Sequence, residues 1–155
     1  MESQKFSELG EREREQYNKG LERGGYEKIF NHCRYFYIRR RYSLIKEMMQ
    51  CAQGKKVLEI GSTAWRGWLD NNSILPSSLT CINISEAELQ AGVDSAASSD
   101  NSPDFILMDA HDLQFEDGTF DFVYGDAILH HLNMVPALDE IFRVLKSNGK
   151  ILFVE

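Results

Sequence analysis

From Lys55 to Glu155 the sequence switches repeatedly between two hydrophobic periods, and this switching constrains the fold most. Five apolar runs, "KKVLEI" (55–60), "LTCINI" (79–84), "DFILMDA" (104–110), Phe120–Tyr124 and "KILFVE" (150–155), are too short for helices and read as strands. Helical spacing fills the gaps. A helix near 64–72 is cut short by "NNSILPSS". A second, about 86–97, starts at Ser85, where Ser-x-x-Glu with Glu88 makes a capping box. A third covers "MVPALDEIFRVLKSNGK" (134–150), with Leu138, Ile141, Phe142 and Leu145 inward and Glu140 and Arg143 pairing on its outer side. Ser147-Asn148-Gly149 stops it, and Asp117-Gly118 turns the chain into the fourth strand, which begins with the structural Asp121. Alternation of this kind predicts an α/β fold with a Rossmann-like parallel sheet, helices on both faces and right-handed crossovers. Ligands in such sheets bind beyond the carboxyl ends of the strands, so the loops after residues 60, 84, 109 and 124 should line one cleft.

The segment before this core divides in two. Residues 1–25 are polar and charged, a loose arm or a short helix. Ile29/Phe30, Cys33, Phe36/Tyr37, Leu44/Ile45 and Met48/Met49 then recur at helical spacing, predicting an amphipathic helix over about 28–51 that ends with a left-handed cap at Gly54. The domain reading is therefore an arm and helix over 1–53 and a core over 54–155. Arg39, Arg40 and Arg41 interrupt the stripe. Either their stems lie beside the core or they contact an anion, a substrate carboxylate, a phosphate or an acidic lipid surface.

Composition excludes several classes. In 155 residues, 43% are hydrophobic and 26% charged, enough for one soluble domain with a core. The net charge of -7 gives no pointer to nucleic acid. Three scattered cysteines, Cys33, Cys51 and Cys81, form no CxxC pair, which fits reduced thiols, a cytoplasmic setting and no metal site. The adjacent His130 and His131 would not face one metal from a helix. No apolar run approaches the roughly 20 residues of a membrane span, and the N-terminus lacks the apolar core of a signal peptide. Gly-Lys-Ser/Thr is absent, which excludes a phosphate-binding loop, and a dinucleotide fingerprint is not present.

Four segments in this order, "VLEIG", "INISEAELQAG", "DAHDLQFEDGTFDFVYGDAILHHL" and "EIFRVLKSNGKILFVE", resemble the front of a class I S-adenosylmethionine-dependent methyltransferase. The likeness covers residues 55–155 and is to the small-molecule branch that includes ubiquinone/menaquinone methyltransferase-like proteins. It implies a strand order of 3-2-1-4-5, with the 28–51 helix across the cleft or the sheet's flank. It also implies S-adenosylmethionine as cofactor and a small-molecule methyl acceptor.

Residue by residue, the resemblance implies a cofactor seat. Gly61 turns the chain close to the cofactor, with Ser62 and Thr63 beside it in the same loop. Glu59 helps hold the ammonium end, unless it is a buried acid satisfied by loop amides. Asn83 stands where the family usually has an acid accepting from the ribose hydroxyls, and Ile84 packs on the adenine face. Asp109 and Ala110 meet the adenine edge, and Gly125 turns its backbone to the methionine end. Asp126, His130 and His131 lie on the floor of the substrate pocket. Either histidine is a candidate base, with packing or capping as the alternative. Arg39–Arg41 with Tyr35, Phe36 and Tyr37 suggest an acidic or aromatic acceptor.

Two departures stand out. Thr63 and Trp65 fall where the family's later loop glycines would be, or, with a small insertion, Gly67 serves as the last; Trp65 either fills the pocket, stacks on a ligand or plugs the loop. The family's final strands are also missing after Glu155; either the fifth strand is an open edge for a partner chain or dimer to cover, or the sequence is a fragment or a naturally shortened product. Two functions follow: methyl transfer to a small molecule, or a non-catalytic relative with a degenerate cofactor site used for binding or regulation.

Overall fold

The computed structural model describes residues 39–101 and 103–155. The 28–38 part of the predicted helix, with Cys33, Tyr35, Phe36 and Tyr37, and the arm before it lie outside the described residues. The chain divides into two compact units, Met1–Ser43 and Leu44–Glu155. Of the first, residues 39–43 are helical, with Arg39 and Arg40 exposed.

In the second unit a helix (α1, residues 44–49) runs on to a single 3-10 turn, Gln50–Ala52. Gly54 then takes a φ of +67°, the left-handed cap expected of it. Ile45 and Met49, four apart, are buried, whereas Leu44 and Met48 point to solvent. The apolar stripe is thus narrower than the sequence suggests, one residue per turn here.

Five parallel strands follow: β1 (Lys56–Ile60), β2 (Ser78–Asn83), β3 (Asp104–Leu107), β4 (Phe120–Asp126) and β5 (Leu145–Val154), in the order β3-β2-β1-β4-β5. The 3-2-1-4-5 arrangement read from the sequence is therefore the observed one. Between β1 and β2 the expected helix is only α2 (Trp65–Trp68) and a 3-10 turn, Asp70–Asn72. Asn72 Nδ2 donates to the Trp68 carbonyl, and Ser73 leaves in a left-handed conformation, so the chain stops here. Helix α3 (Glu86–Ala96) is capped by Ser85, whose hydroxyl accepts from the Glu88 amide.

Helix α4 (Met134–Val144) departs from expectation. It ends at Val144, not near 150, because β5 begins at once. Leu145 pairs with Phe120 and Lys150 with Phe122, so residues 146–149 bulge out of register instead of extending the helix. Its buried residues are Ala137, Ile141 and Val144; Leu138 and Leu145 are only half-buried, and Phe142 is exposed, not inward. Glu140 and Arg143 do pair, at 2.8 Å, and Arg143 also donates to the carbonyls of Leu113 and Phe115. Strand β3 is shorter than expected and β4 longer, reaching Asp126.

Alternation along the strands builds a core on each face of the sheet. On one side Val57, Cys81, Phe122 and Tyr124 pack with Trp65, Leu69, Ile74 and the α1 residues Ile45 and Met49. On the other, Leu58, Ile60, Ile82 and Val123 pack with Leu113, Ile141 and Val144. Asp121 is structural, accepting from the Lys56 amide and pairing with Lys146 at 2.8 Å.

Candidate functional site

The carboxyl ends of β1 and β2, the loop after β3 and the segment after β4 surround a cavity of about 130 Å³. Its lining includes Gly61, Asn83, Ile84, Asp109, Ala110 and His131, six of the residues singled out from the sequence. Glu59, Ser62, Thr63, Gly125 and His130 lie outside the lining. The gathering of residues up to 70 positions apart follows from parallel strands delivering their following loops to one edge of the sheet.

The first loop is shaped by Glu59. Register places Glu59 opposite Cys81 on one side and Tyr124 on the other, so the three side chains form a row across β2, β1 and β4. Glu59 is fully buried; Tyr124 Oη donates to Oε2 and the Ala64 amide donates to Oε1 at 3.0 Å. Burial pushes its pKa from 4.5 to about 7, opposed by these hydrogen bonds. Burial, followed by the nearby Glu59 charge, also holds the Tyr124 hydroxyl and Cys81 thiol well above their ordinary values. In this state Glu59 organises the loop from beneath.

Gly61 leaves β1 with a φ of +113°, and its amide donates to the Ile82 carbonyl at 2.8 Å. A side chain would be strained there, so glycine is required by the backbone. Ser62 is buried beneath the loop, and its hydroxyl accepts from Asn83 Nδ2 at 3.1 Å. Thr63 is exposed. Trp65 turns away from the cleft into the core, wholly buried, edge-on to Phe105 and donating to the Ser62 carbonyl. It neither fills the cavity nor stacks on its opening.

At the end of β2, Asn83 Oδ1 accepts from the Ser85 amide at 2.9 Å, which fixes its side chain at the entry to α3. Ile84 is 76% exposed beside it. After β3, Asp109 Oδ1 accepts from the His111 amide and ring, and these bonds hold its carboxyl below the ordinary carboxylate range.

Gly125 sits within β4, where a Cβ would come within 2.6 Å of Ile128, 2.8 Å of Phe153 and 3.0 Å of the Ile60 carbonyl. Its missing side chain lets β1, β5 and the following loop close together. Asp126 accepts from the Trp68 indole at 2.7 Å, joining α2 to the end of β4. Ala127 next takes a φ of +52°, a strained conformation at the cleft. His130 Nδ1 lies 2.7 Å from Glu155 Oε2, and Glu155 Oε1 accepts from the Ile128 and Leu129 amides. These contacts lower the Glu155 pKa, the His130 bond most. The two histidine rings lie 4.0 Å apart, and only His131 lines the cavity.

His111, Tyr124, Glu155 and Trp68 were not singled out from the sequence. His111 had a local signal, two residues after an aspartate in a loop. The others depend on strand register and on contacts across the sheet.

Gly61, the apolar side chain of Ile84 and the Asp109 carboxylate line one cavity, groups of the kind an adenine and ribose would meet. Among the described residues no helix is long and apolar enough to cross a membrane.

Known proteins share the fold. Residues 58–153 match the family described as "Methyltransferase domain". The chain is 32% identical over 110 residues to demethylmenaquinone methyltransferase of Staphylococcus aureus (strain MRSA252), covering 69% of this chain and 45% of that protein. Its counterpart from Staphylococcus epidermidis (strain ATCC 12228 / FDA PCI 1200) is 29% identical over 114 residues, covering 72% and 47%. The chain thus spans about half the length of these relatives. Among solved structures, the PH0226 protein from Pyrococcus horikoshii OT3 superposes with a TM-score of 0.60 at 26% identity, covering 75% of this chain and 57% of that one. The trans-methyltransferase CalH in complex with SAH (TM-score 0.60, 22% identity, 71% and 34% covered) shares the fold. The sheet order and the family match over more than half its length agree: this chain belongs to the methyltransferase domain family.

Proposed function

We propose that this chain binds S-adenosylmethionine in the cavity above β1, β2 and β3 and transfers its methyl group to a small-molecule acceptor. The observation that carries the reading is the convergence of Gly61, Asn83, Ile84, Asp109 and Ala110 on one cavity, with His131 on the opposite wall. The cofactor supplies a methyl carbon on a sulfonium, an electrophile that leaves a neutral thioether behind. The chain's own residues orient the partners, and positioning alone accounts for much of the acceleration of an in-line displacement.

In this reading Asn83 Oδ1 keeps a second lone pair for a ribose hydroxyl, and Ile84 covers the adenine face. Asp109 Oδ2 accepts from the exocyclic amine while the Ala110 amide meets a ring nitrogen. Glu59 sets the loop that carries Gly61, Ser62 and Thr63, and Gly125 keeps the methionine end narrow. His130, held at Nδ1 by Glu155, or His131 at the cavity wall takes the acceptor's proton. The relatives' name, demethylmenaquinone methyltransferase, makes an aromatic acceptor the first class to test. The reading includes a cytoplasmic location.

Calorimetry with S-adenosylmethionine and S-adenosylhomocysteine tests the proposal. Binding is expected in the micromolar range, weakened about tenfold or more by Asp109→Ala and by Asn83→Ala, since each removes a hydrogen bond to the ligand. Absence of binding at millimolar ligand would sink the reading in favour of a non-catalytic relative.

A further inference from the structure

His111 occupies a place in the cleft that the cofactor reading does not use. Its backbone amide donates to Asp109 Oδ1 at 2.9 Å, and its Nδ1 lies 2.6 Å from the same oxygen. On the other side of the ring, the Asn133 backbone N–H donates to Nε2 at 3.0 Å. A backbone amide is only ever a donor there, so Nε2 must be an unprotonated acceptor. The ring's proton is therefore on Nδ1, donated to Asp109. Asn133 is the residue that opens α4, and Leu132 and His131 just before it line the cavity opposite Asp109 and Ala110. One imidazole thus spans from the loop after β3 to the loop before α4.

We infer that His111 is the positioning residue for the adenine-reading edge of the cleft: as a neutral Nδ1–H imidazole it holds the Asp109 carboxylate on Oδ1, leaving Oδ2 for an exocyclic amine, and ties the two cavity walls together. The inference rests on the cofactor reading above. It assigns base discrimination to a pair, Asp109 with His111, and not to the aspartate alone. A carboxylate free to rotate can turn either oxygen to either side; one pinned by two donors on Oδ1 presents Oδ2 in a single direction.

The test compares S-adenosylhomocysteine with S-inosylhomocysteine, which carries a keto oxygen in place of the amine, by calorimetry on the full chain. The unmodified protein should prefer the adenosyl ligand by at least about tenfold, the value of one charge-assisted hydrogen bond. His111→Ala should lose most of that preference, and adding it to Asp109→Ala should change the ratio no further. A His111→Ala protein that keeps the full preference overturns the inference, as does an unmodified protein that binds both ligands equally; either leaves cofactor binding in this cavity standing, and equal binding removes only the Asp109–amine contact from that reading. Binding of neither ligand overturns the cofactor reading and this inference with it. Should His111→Ala fail to fold, the imidazole 15N–1H correlation spectrum of the unmodified protein decides: an unprotonated Nε2 is expected, and an Nε2–H tautomer overturns the assignment.

Discussion

The Trp65 indole N–H donates to the carbonyl of Ser62, three residues earlier, at 3.2 Å, with the ring wholly buried. This one relationship decides what the altered glycine loop does. The bulky residue faces the core beneath the sheet, so the loop's backbone remains available above it.

Trp65→Ala should therefore behave as a core truncation, costing about 3–5 kcal/mol in urea denaturation. Affinity for S-adenosylhomocysteine, measured at a temperature where the variant is folded, should fall or stay level. A tryptophan plugging the cleft would give the opposite result, tighter binding on truncation.

Glu59 links pH to stability. Its carboxyl rises from 4.5 unfolded to about 7 in the fold because of burial. Between those values the folded chain holds a proton that the unfolded chain has released. The resulting contribution, about 3 kcal/mol, is fully present below pH 4.5 and is lost as pH rises through 7. Thermal melts should show Tm falling between pH 5 and 8, with a flatter profile in Glu59→Gln. Equal slopes in the two proteins would show that another group controls the dependence.

Asn83 tests the ribose contact from the gain side. Asn83→Asp keeps the Oδ1 acceptor used by the Ser85 amide, now carrying charge, and replaces the NH2 that donates to Ser62 by an oxygen to which the Ser62 hydroxyl can turn and donate. Charge-assisted hydrogen bonds are roughly twice as strong as neutral ones, so S-adenosylhomocysteine should bind about threefold to tenfold more tightly. Unchanged or weaker binding would place the ribose elsewhere.

Gly92 supports the loop from the side of α3. A Cβ there would come within 2.5 Å of Phe105 and 2.7 Å of the Ser62 carbonyl, the acceptor used by Trp65. Gly92→Ala should cost about 1–3 kcal/mol in chemical denaturation and lower ligand affinity as well. A variant with unchanged stability would mean that the helix can shift at no cost.

Much of this architecture was legible in the chain. Strand and helix periods, the Ser85 cap and the Gly54 turn are local, written in residues a few positions apart. The identity of the cleft loops followed, because parallel strands send their connections to one edge. What escaped was the side on which ambiguous apolar residues fall. Phe142 has the spacing of an inward residue, yet Ala137, Ile141 and Val144 take the buried face of α4. The bulge at 146–149 depends on register with β4, to which no short stretch of sequence responds.

The sequence by itself determined the order of elements, the parallel sheet and the set of loops that could meet a cofactor. These rest on local period and on chain connectivity. Only the tertiary structure decided that Trp65 faces the core, that Glu59 sits buried between Tyr124 and Cys81, and that His111 joins Asp109 to Asn133. Each of those depends on which distant atoms arrive beside it once the strands are in register, and hydrogen-bond partners and burial are properties of that arrival.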